Sequence, residues 1–172
     1  WSPDVCSSDL FVSGLGIEAV MADLATIHPV RHAPAGPVET FAAASGETVP
    51  RAISTEDIAN VLLRFTGGAR GAMTVSQVSP GRKNRLWIEV DGATDALAWC
   101  NETPDDLWIG HRGRASELSQ RDPGLLSPLA QRSTWHPGGH AEGFPDTFRA
   151  LYRAVYEDVA AGGPSADPAY PT

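Results

Sequence analysis

The sequence predicts an α+β fold: a predominantly antiparallel open sheet with a helix packed on one face. Three observations predict it. Short apolar runs recur from Ile17 to Gln120, roughly 8–12 residues apart and broken by Gly- and Pro-containing turns, which is the pattern of hairpin-linked strands. After Pro145 the hydrophobic period becomes helical, and Phe148, Leu151, Tyr152, Val155 and Val159 fall on one face. That face needs an apolar partner, and the sheet is the large one available.

The first ten residues, WSPDVCSSDL, differ only at Pro3 from one translated frame of a common sequencing adapter, so residues 1–10 are read as a non-native tail and set aside. Residues 11–172 then form one domain, expected to be incomplete at both ends. Ile17 to Ile27 (IEAVMADLATI) read as the first strand. Residues 28–51, rich in Pro, Gly, Ala and Ser and without a period, read as a long exposed loop in which His28 and His32 lie. Asp57 to Phe65, a turn over Thr66–Ala69, and Arg70 to Ser79 form a hairpin. Arg85 to Val90, the Asp91-Gly92 turn, Ala96 to Asn101, Leu107 to His111 and Arg114 to Gln120 continue the strands. The stretch 122–137 is irregular, with Pro123, Pro128 and Pro137. In the helix that follows, Pro145 suits the first turn, Asp146 complements the positive N-terminal end, and Gly162-Gly163 ends it.

Composition narrows the function. With 42% hydrophobic and 20% charged residues the chain is an ordinary globular one, and its net charge of −8 argues against nucleic acid or an anionic membrane surface as partner. No apolar run approaches the ~20 residues of a membrane span. Without the tail's Cys6, Cys100 stands alone and forms no internal disulfide, which fits the cytoplasm. Lys83 is the single lysine.

The densest polar constellation is Trp135-His136-Pro137-Gly138-Gly139-His140-Ala141-Glu142-Gly143. His136, His140 and Glu142 are metal ligands by type, but His-x3-His works best on a helix and Pro137-Gly138-Gly139 forbids one, so no metal is expected. A substrate-contacting loop just before the helix is the sharper reading; solvated or strand-capping imidazoles are the plainer one. Arg82, Lys83, Asn84 and Arg85 form a basic cluster, either a solvated face or a contact for a phosphate or carboxylate. Glu56-Asp57 and Asp105-Asp106 are neighbours that point to opposite faces of a strand, so they suit capping and turns and not a shared proton. Gly14-Leu15-Gly16 lacks a third glycine and precedes a strand, which makes it no phosphate cradle. No catalytic residue is assigned.

The order of the segments resembles the C-terminal domain of the Gfo/Idh/MocA oxidoreductases, the family of glucose–fructose oxidoreductase and inositol dehydrogenases. The matching features are Glu56-Asp57 opening a strand, the Phe65-to-Gly71 hairpin (F-x-G-G-A-x-G), Gly81-x-x-Asn84-x-Leu86, Glu89-Val90-x-Gly92, Leu97-x-Trp99 and Glu102-x-Pro104. Gly139-His140-x-Glu142-Gly143-Phe144, ahead of the Phe148 helix, is similar to a recurring segment of one subgroup. The resemblance spans nearly everything from Phe11 to Thr172.

It implies an NAD(P)-binding Rossmann domain N-terminal to this region, carrying a Glu-Lys-Pro lysine. It also implies an Asp-x-x-x-His acid/base pair just upstream of a segment like Phe11 to Gly14, and a further strand and helix beyond Tyr170 to Thr172. The parent protein would move a hydride between NAD or NADP and a sugar, polyol or related hydroxyl carbon. This region would supply the substrate-side wall and join a homo-oligomer through its open sheet face, with no nucleotide bound by the fragment alone. Arg82, Asn84, His136 and His140 are the expected substrate contacts, and none matches a catalytic residue of the family. Two other readings stand beside this one: a stand-alone non-catalytic sugar-binding or dimerisation module, and a metal-dependent enzyme using His136, His140 and Glu142.

Overall fold

The computed structural model describes residues 14–37 and 46–164. The tail 1–10 with its Cys6, Phe11 to Ser13, and Tyr170 to Thr172 lie outside the described residues. The fold is α+β: antiparallel strands together with a helix of 17 residues. The strands separate into a three-stranded, a two-stranded and a four-stranded sheet, and the chain divides into two compact units between Arg82 and Lys83. Among the described residues no helix is long and apolar enough to cross a membrane.

In the first unit, β1 (Ile17–Ala25), β4 (Ile58–Phe65) and β5 (Arg70–Ser76) form a sheet with β4 at its centre. Strand alternation builds the core: Ala59, Val61, Leu63 and Phe65 are buried, with Leu15, Ile17 and Met73 packed against them. Each such large side chain contributes about 1.5–3 kcal/mol when fully withdrawn from water. The β4–β5 turn uses Gly67 and Gly68 at φ 80° and 94°, values that glycine alone adopts without strain. Gly71 has a different duty. A Cβ there would meet Phe65 Cε2 at 2.9 Å, so the missing side chain is what lets the Phe65 ring lie across β5. On the other face of β4, Leu62 stays 52% exposed beside its β1 partner Met21, 66% exposed, over an open hollow of about 380 Å³.

The stretch 28–51 is not a loop throughout. β2 (Val30–Pro34) and β3 (Thr48–Ala52) pair antiparallel, so His32 lies in a strand. Composition hides this hairpin, because proline normally argues against a strand. The bonds from Ile53 N to Pro29 O and from Ala35 N to Glu47 O set the ladder's alternation. His32–Pro50 and Pro34–Thr48 therefore fall at positions whose N–H groups point away from the partner strand, and the missing donors cost nothing there. Asp57, a buried carboxylate, fixes how the hairpin leaves the sheet. It accepts Ile27 N at 2.7 Å, His28 N at 2.9 Å and Arg31 Nη2 at 3.3 Å.

In the second unit, β6 (Trp87–Asp91), β7 (Asp95–Cys100), β8 (Asp106–His111) and β9 (Glu117–Gln120) form a four-stranded meander. Ala98 and Cys100 are its buried apolar residues, and Trp108 lies over Gly110. Asn101 staples the sheet's start: its Oδ1 accepts Leu86 N at 2.8 Å and its Nδ2 donates to Asn84 O at 2.7 Å. His111 sits between Asp95 Oδ1 at 2.5 Å and Glu117 Oε1 at 2.9 Å, tying β7, β8 and β9 at one end, and the bond from His111 lowers the Asp95 pKa.

The irregular stretch after β9 contains a 3-10 turn over Pro123–Leu125 and a single-turn helix α1 (Pro128–Gln131), capped by Asp122 and Ser127 respectively. Helix α2 (Phe144–Ala160) begins at Pro145's first turn as its sequence requires, with Asp146 Oδ2 accepting Gly143 N at 2.9 Å. It ends where Gly162 takes φ 91°. Its apolar stripe is only partly covered: Val155 is half-buried, but Phe148 is 44% and Val159 66% exposed, and no residue of α2 is fully buried. Polar contacts add to this: Glu157 pairs with Arg153 one turn earlier in the same helix at 2.8 Å and with Arg132 outside it at 3.0 Å.

Two outcomes follow from the first unit. Gly71→Ala is expected to push Phe65 out of place and cost about 1–3 kcal/mol, seen as a lower urea midpoint at unchanged slope; an unaltered midpoint would mean the ring has room to move. The hydrogen bond from Ile27, then those from His28 and Arg31, hold the Asp57 pKa below the usual carboxylate range against the opposing effect of burial. A depressed folded-state value gives stability that is present above the unfolded pKa of about 4 and lost as pH falls through the folded value. The protection factors of the Ile27 and His28 amides should therefore fall below about pH 4, and Asp57→Asn should remove that acid step.

Candidate functional site

The loop 135–143 is built by two charged side chains. Glu142 closes it on itself: its Oε1 accepts the backbone N–H of Trp135, in a short contact, and that of His136 at 2.7 Å. Arg121, one residue beyond β9, ties the loop to the sheet. Its Nε donates to Asp105 Oδ1 at 2.6 Å, its Nη1 to His136 O at 3.0 Å, and its Nη2 to His140 O at 2.6 Å. Glu142 Oε2 lies 3.4 Å from Nη1. Only 12% of the Arg121 side chain is exposed, and the Asp105 hydrogen bond raises its already high pKa, so the charge is permanent.

Local sequence explains the loop's shape. His140 N bonds Pro137 O at 3.2 Å across Gly138-Gly139, with Gly139 at φ 80°, a tight turn that needs glycine. With main-chain groups of both histidines engaged, His136 and His140 remain exposed. His136 Nε2 is 3.7 Å from Asp146 Oδ1, and His140 Nδ1 is 3.4 Å from Gly138 O. Arg149 stacks over Trp135 at 4.4 Å, which joins the loop to α2. The arrangement presents two imidazoles, each able to donate or accept a hydrogen bond, at the edge of a rigid support.

Of the four residues expected to touch substrate, the structure brings His136 and His140 together on this loop. Asn84 lies before β6, where its carbonyl is held by Asn101. Arg82 ends the first unit, its backbone N–H reaching Ser79 O at 3.3 Å. All four are exposed. Glu142 is not poised as a metal ligand, since both its oxygens already serve the loop and Arg121. Among the described residues no group of three or more His, Cys, Asp or Glu side chains converges as a metal site. Asp105, set beside Asp106 in the sequence, turns out to be the carboxylate that orients Arg121. Arg121 itself went unmarked in the sequence, where only the Arg-Asp-Pro step after β9 hinted at a special position.

Residues 10–98 match the GFO/IDH/MocA C-terminal domain. The chain belongs to this family. The matched segment ends inside β7, so the 135–143 loop lies beyond it. Among solved structures, the chain is similar to an oxidoreductase from Sinorhizobium meliloti, with 31% identity over 85% of this chain and 36% of that one, TM-score 0.64. An oxidoreductase domain protein from Kribbella flavida is 24% identical over 96% of this chain and 42% of that one, TM-score 0.72. An inositol dehydrogenase homolog from Azotobacter vinelandii, complexed with NADH and myo-inositol, is 23% identical over 92% of this chain and 36% of that one, TM-score 0.68. At the lower identities the likeness is one of fold. This GFO/IDH/MocA chain thus spans well under half the length of these relatives. No curated protein is significantly similar to it in sequence.

Asp146 is the point where loop and helix meet. Asp146→Ala is expected to cost about 1 kcal/mol through loss of the Gly143 N–H acceptor and of the dipole-complementing charge. Thermal melts and amide exchange at Gly143 read the loss, and an unchanged exchange rate at Gly143 would contradict it.

Proposed function

We propose that this chain is the substrate-binding and oligomerisation portion of an NAD(P)-dependent oxidoreductase acting on a sugar, a polyol or a related hydroxy compound. Arg82, Asn84, His136 and His140 are proposed as its substrate contacts and the cytoplasm as its compartment. The observation that carries this reading is the pinned 135–143 loop, which projects two imidazoles from a chain of the GFO/IDH/MocA family. Hydroxyl groups both donate and accept hydrogen bonds. Neutral imidazole offers one of each, and an amide such as Asn84 offers two donors and an acceptor. The myo-inositol and NADH found in the Azotobacter vinelandii structure are of the chemistry this reading requires.

Gly14-Leu15-Gly16 is not placed as a dinucleotide cradle. It runs into β1, an edge strand of an antiparallel sheet, and no helix follows that strand to aim its N-terminus at a pyrophosphate. In this reading nucleotide binding and hydride transfer fall to a Rossmann domain of the parent protein. The open Met21–Leu62 face of the first sheet supports the oligomer contact, because large exposed apolar side chains side by side mark interaction surfaces.

Titrating the 172-residue chain with myo-inositol while following histidine ring and side-chain amide resonances tests the reading. Shifts are expected at His136, His140, Asn84 and Arg82, and His136→Ala or His140→Ala should each weaken binding about tenfold, the worth of roughly one hydrogen bond. Shifts confined to other surfaces, or none at all, would end it.

A further inference from the structure

We propose that Arg121 is the positioning residue of this site: anchored on Asp105, its guanidinium holds the main chain at both histidines so that the two imidazoles face one hydroxyl-rich ligand together. This rests on the substrate-contact reading of His136 and His140 and names what makes that site possible.

The two charged groups divide the work. Glu142 bonds Trp135 N and His136 N, seven and six residues back along its own loop, so it fixes the loop's internal shape. Arg121 comes from the sheet. Its backbone N–H bonds Asp105 O at 2.7 Å, its Nε bonds the Asp105 carboxylate, and its two terminal nitrogens reach carbonyls four residues apart at His136 and His140. A planar fork with five donors in fixed directions spans those acceptors; a lysine ammonium on its flexible stem does not. The segment it holds contains Pro137-Gly138-Gly139, and glycine gives the backbone the most freedom to lose. Small displacements of such a segment cost a ligand site heavily, which is why supporting side chains matter as much as contacting ones.

Arg121→Gln and Arg121→Lys in the full chain test this, with histidine ring resonances, Trp indole resonances and myo-inositol affinity as readouts. In Arg121→Gln the His136 and His140 resonances are expected to move toward those of an unconstrained loop and affinity to fall about tenfold, while the Trp99 and Trp108 indole signals of the sheet stay in place. Arg121→Lys keeps the charge beside Asp105, so thermal stability should largely return while affinity stays low. Unchanged loop resonances in Arg121→Gln, or full recovery of affinity in Arg121→Lys, would overturn the proposal. Loop resonances that move as expected in a protein whose wild type never responds to myo-inositol would leave the positioning role standing and remove the ligand reading. Should Arg121→Gln lose the sheet signals, Glu142→Gln carries the same test, since it weakens the Arg121 contact while leaving an oxygen to close the loop.

Discussion

A charge withdrawn from water must find its partners inside the protein, and each unit of this chain has a loop organised by that requirement. In the first unit the charge is Asp57, whose carboxylate gathers Ile27 N, His28 N and Arg31 and so dictates where the β2–β3 hairpin departs. In the second it is Arg121, which gathers Asp105 and the carbonyls of His136 and His140. Leaving either group short of partners would cost several times what one surface ion pair contributes. The segments around them are rich in Pro and Gly and have few buried side chains, so their conformation follows the charge more than any apolar core.

The cores themselves are small. Among the described residues, the buried apolar side chains of the first unit are every second residue of one strand, β4, and those of the second are Ala98 and Cys100 of β7. Alternation gives each strand a second face, and Leu62 and Met21 show that face open in the first sheet. The stripe on α2 is open over much of its length as well. Helix stability in globular proteins comes chiefly from packing of the apolar face, so α2 relies on its Asp146 start, its glycine end and the Glu157 ion pairs. Surfaces of this kind suit a chain that works against further protein, as the proposed assembly with a Rossmann domain and a second subunit would provide.

Most of the fold was legible in the sequence, for a physical reason that also explains the failure. The β4–β5 hairpin announces itself because alternation and a Gly-Gly turn are local signals, and α2 because its period, Asp146 and Gly162 agree. The β2–β3 hairpin does not, because Pro34 and Pro50 are harmless only once a register puts them at non-bonded positions, and register is a property of two strands and not of one. The open stripe of α2 was likewise unreadable: period shows which face is apolar, not what lies against it. For the candidate site, composition draws attention to the loop at 135–143, since histidines beside Pro-Gly-Gly are conspicuous. It did not locate Arg121, whose acceptors lie 15 to 19 residues away in sequence and include main-chain carbonyls, which carry no residue identity.

Glu142 depends on its surroundings in the same way. By residue type it joins His136 and His140 as a third metal ligand, although Pro137-Gly138-Gly139 denies the two histidines a shared helix face. In the fold its carboxylate is already bound on both oxygens: one accepts two main-chain N–H groups and the other faces Arg121. Turning it toward a metal would leave the Trp135 and His136 N–H groups and part of a poorly solvated guanidinium unpaired, a penalty the metal would have to exceed before binding at all. A carboxylate that shapes a loop and one that holds a metal thus look identical in sequence and differ entirely in what surrounds them. Here the surroundings assign Glu142 to the loop, and leave the two imidazoles exposed, each with one long contact of its own, to Asp146 and to Gly138 O.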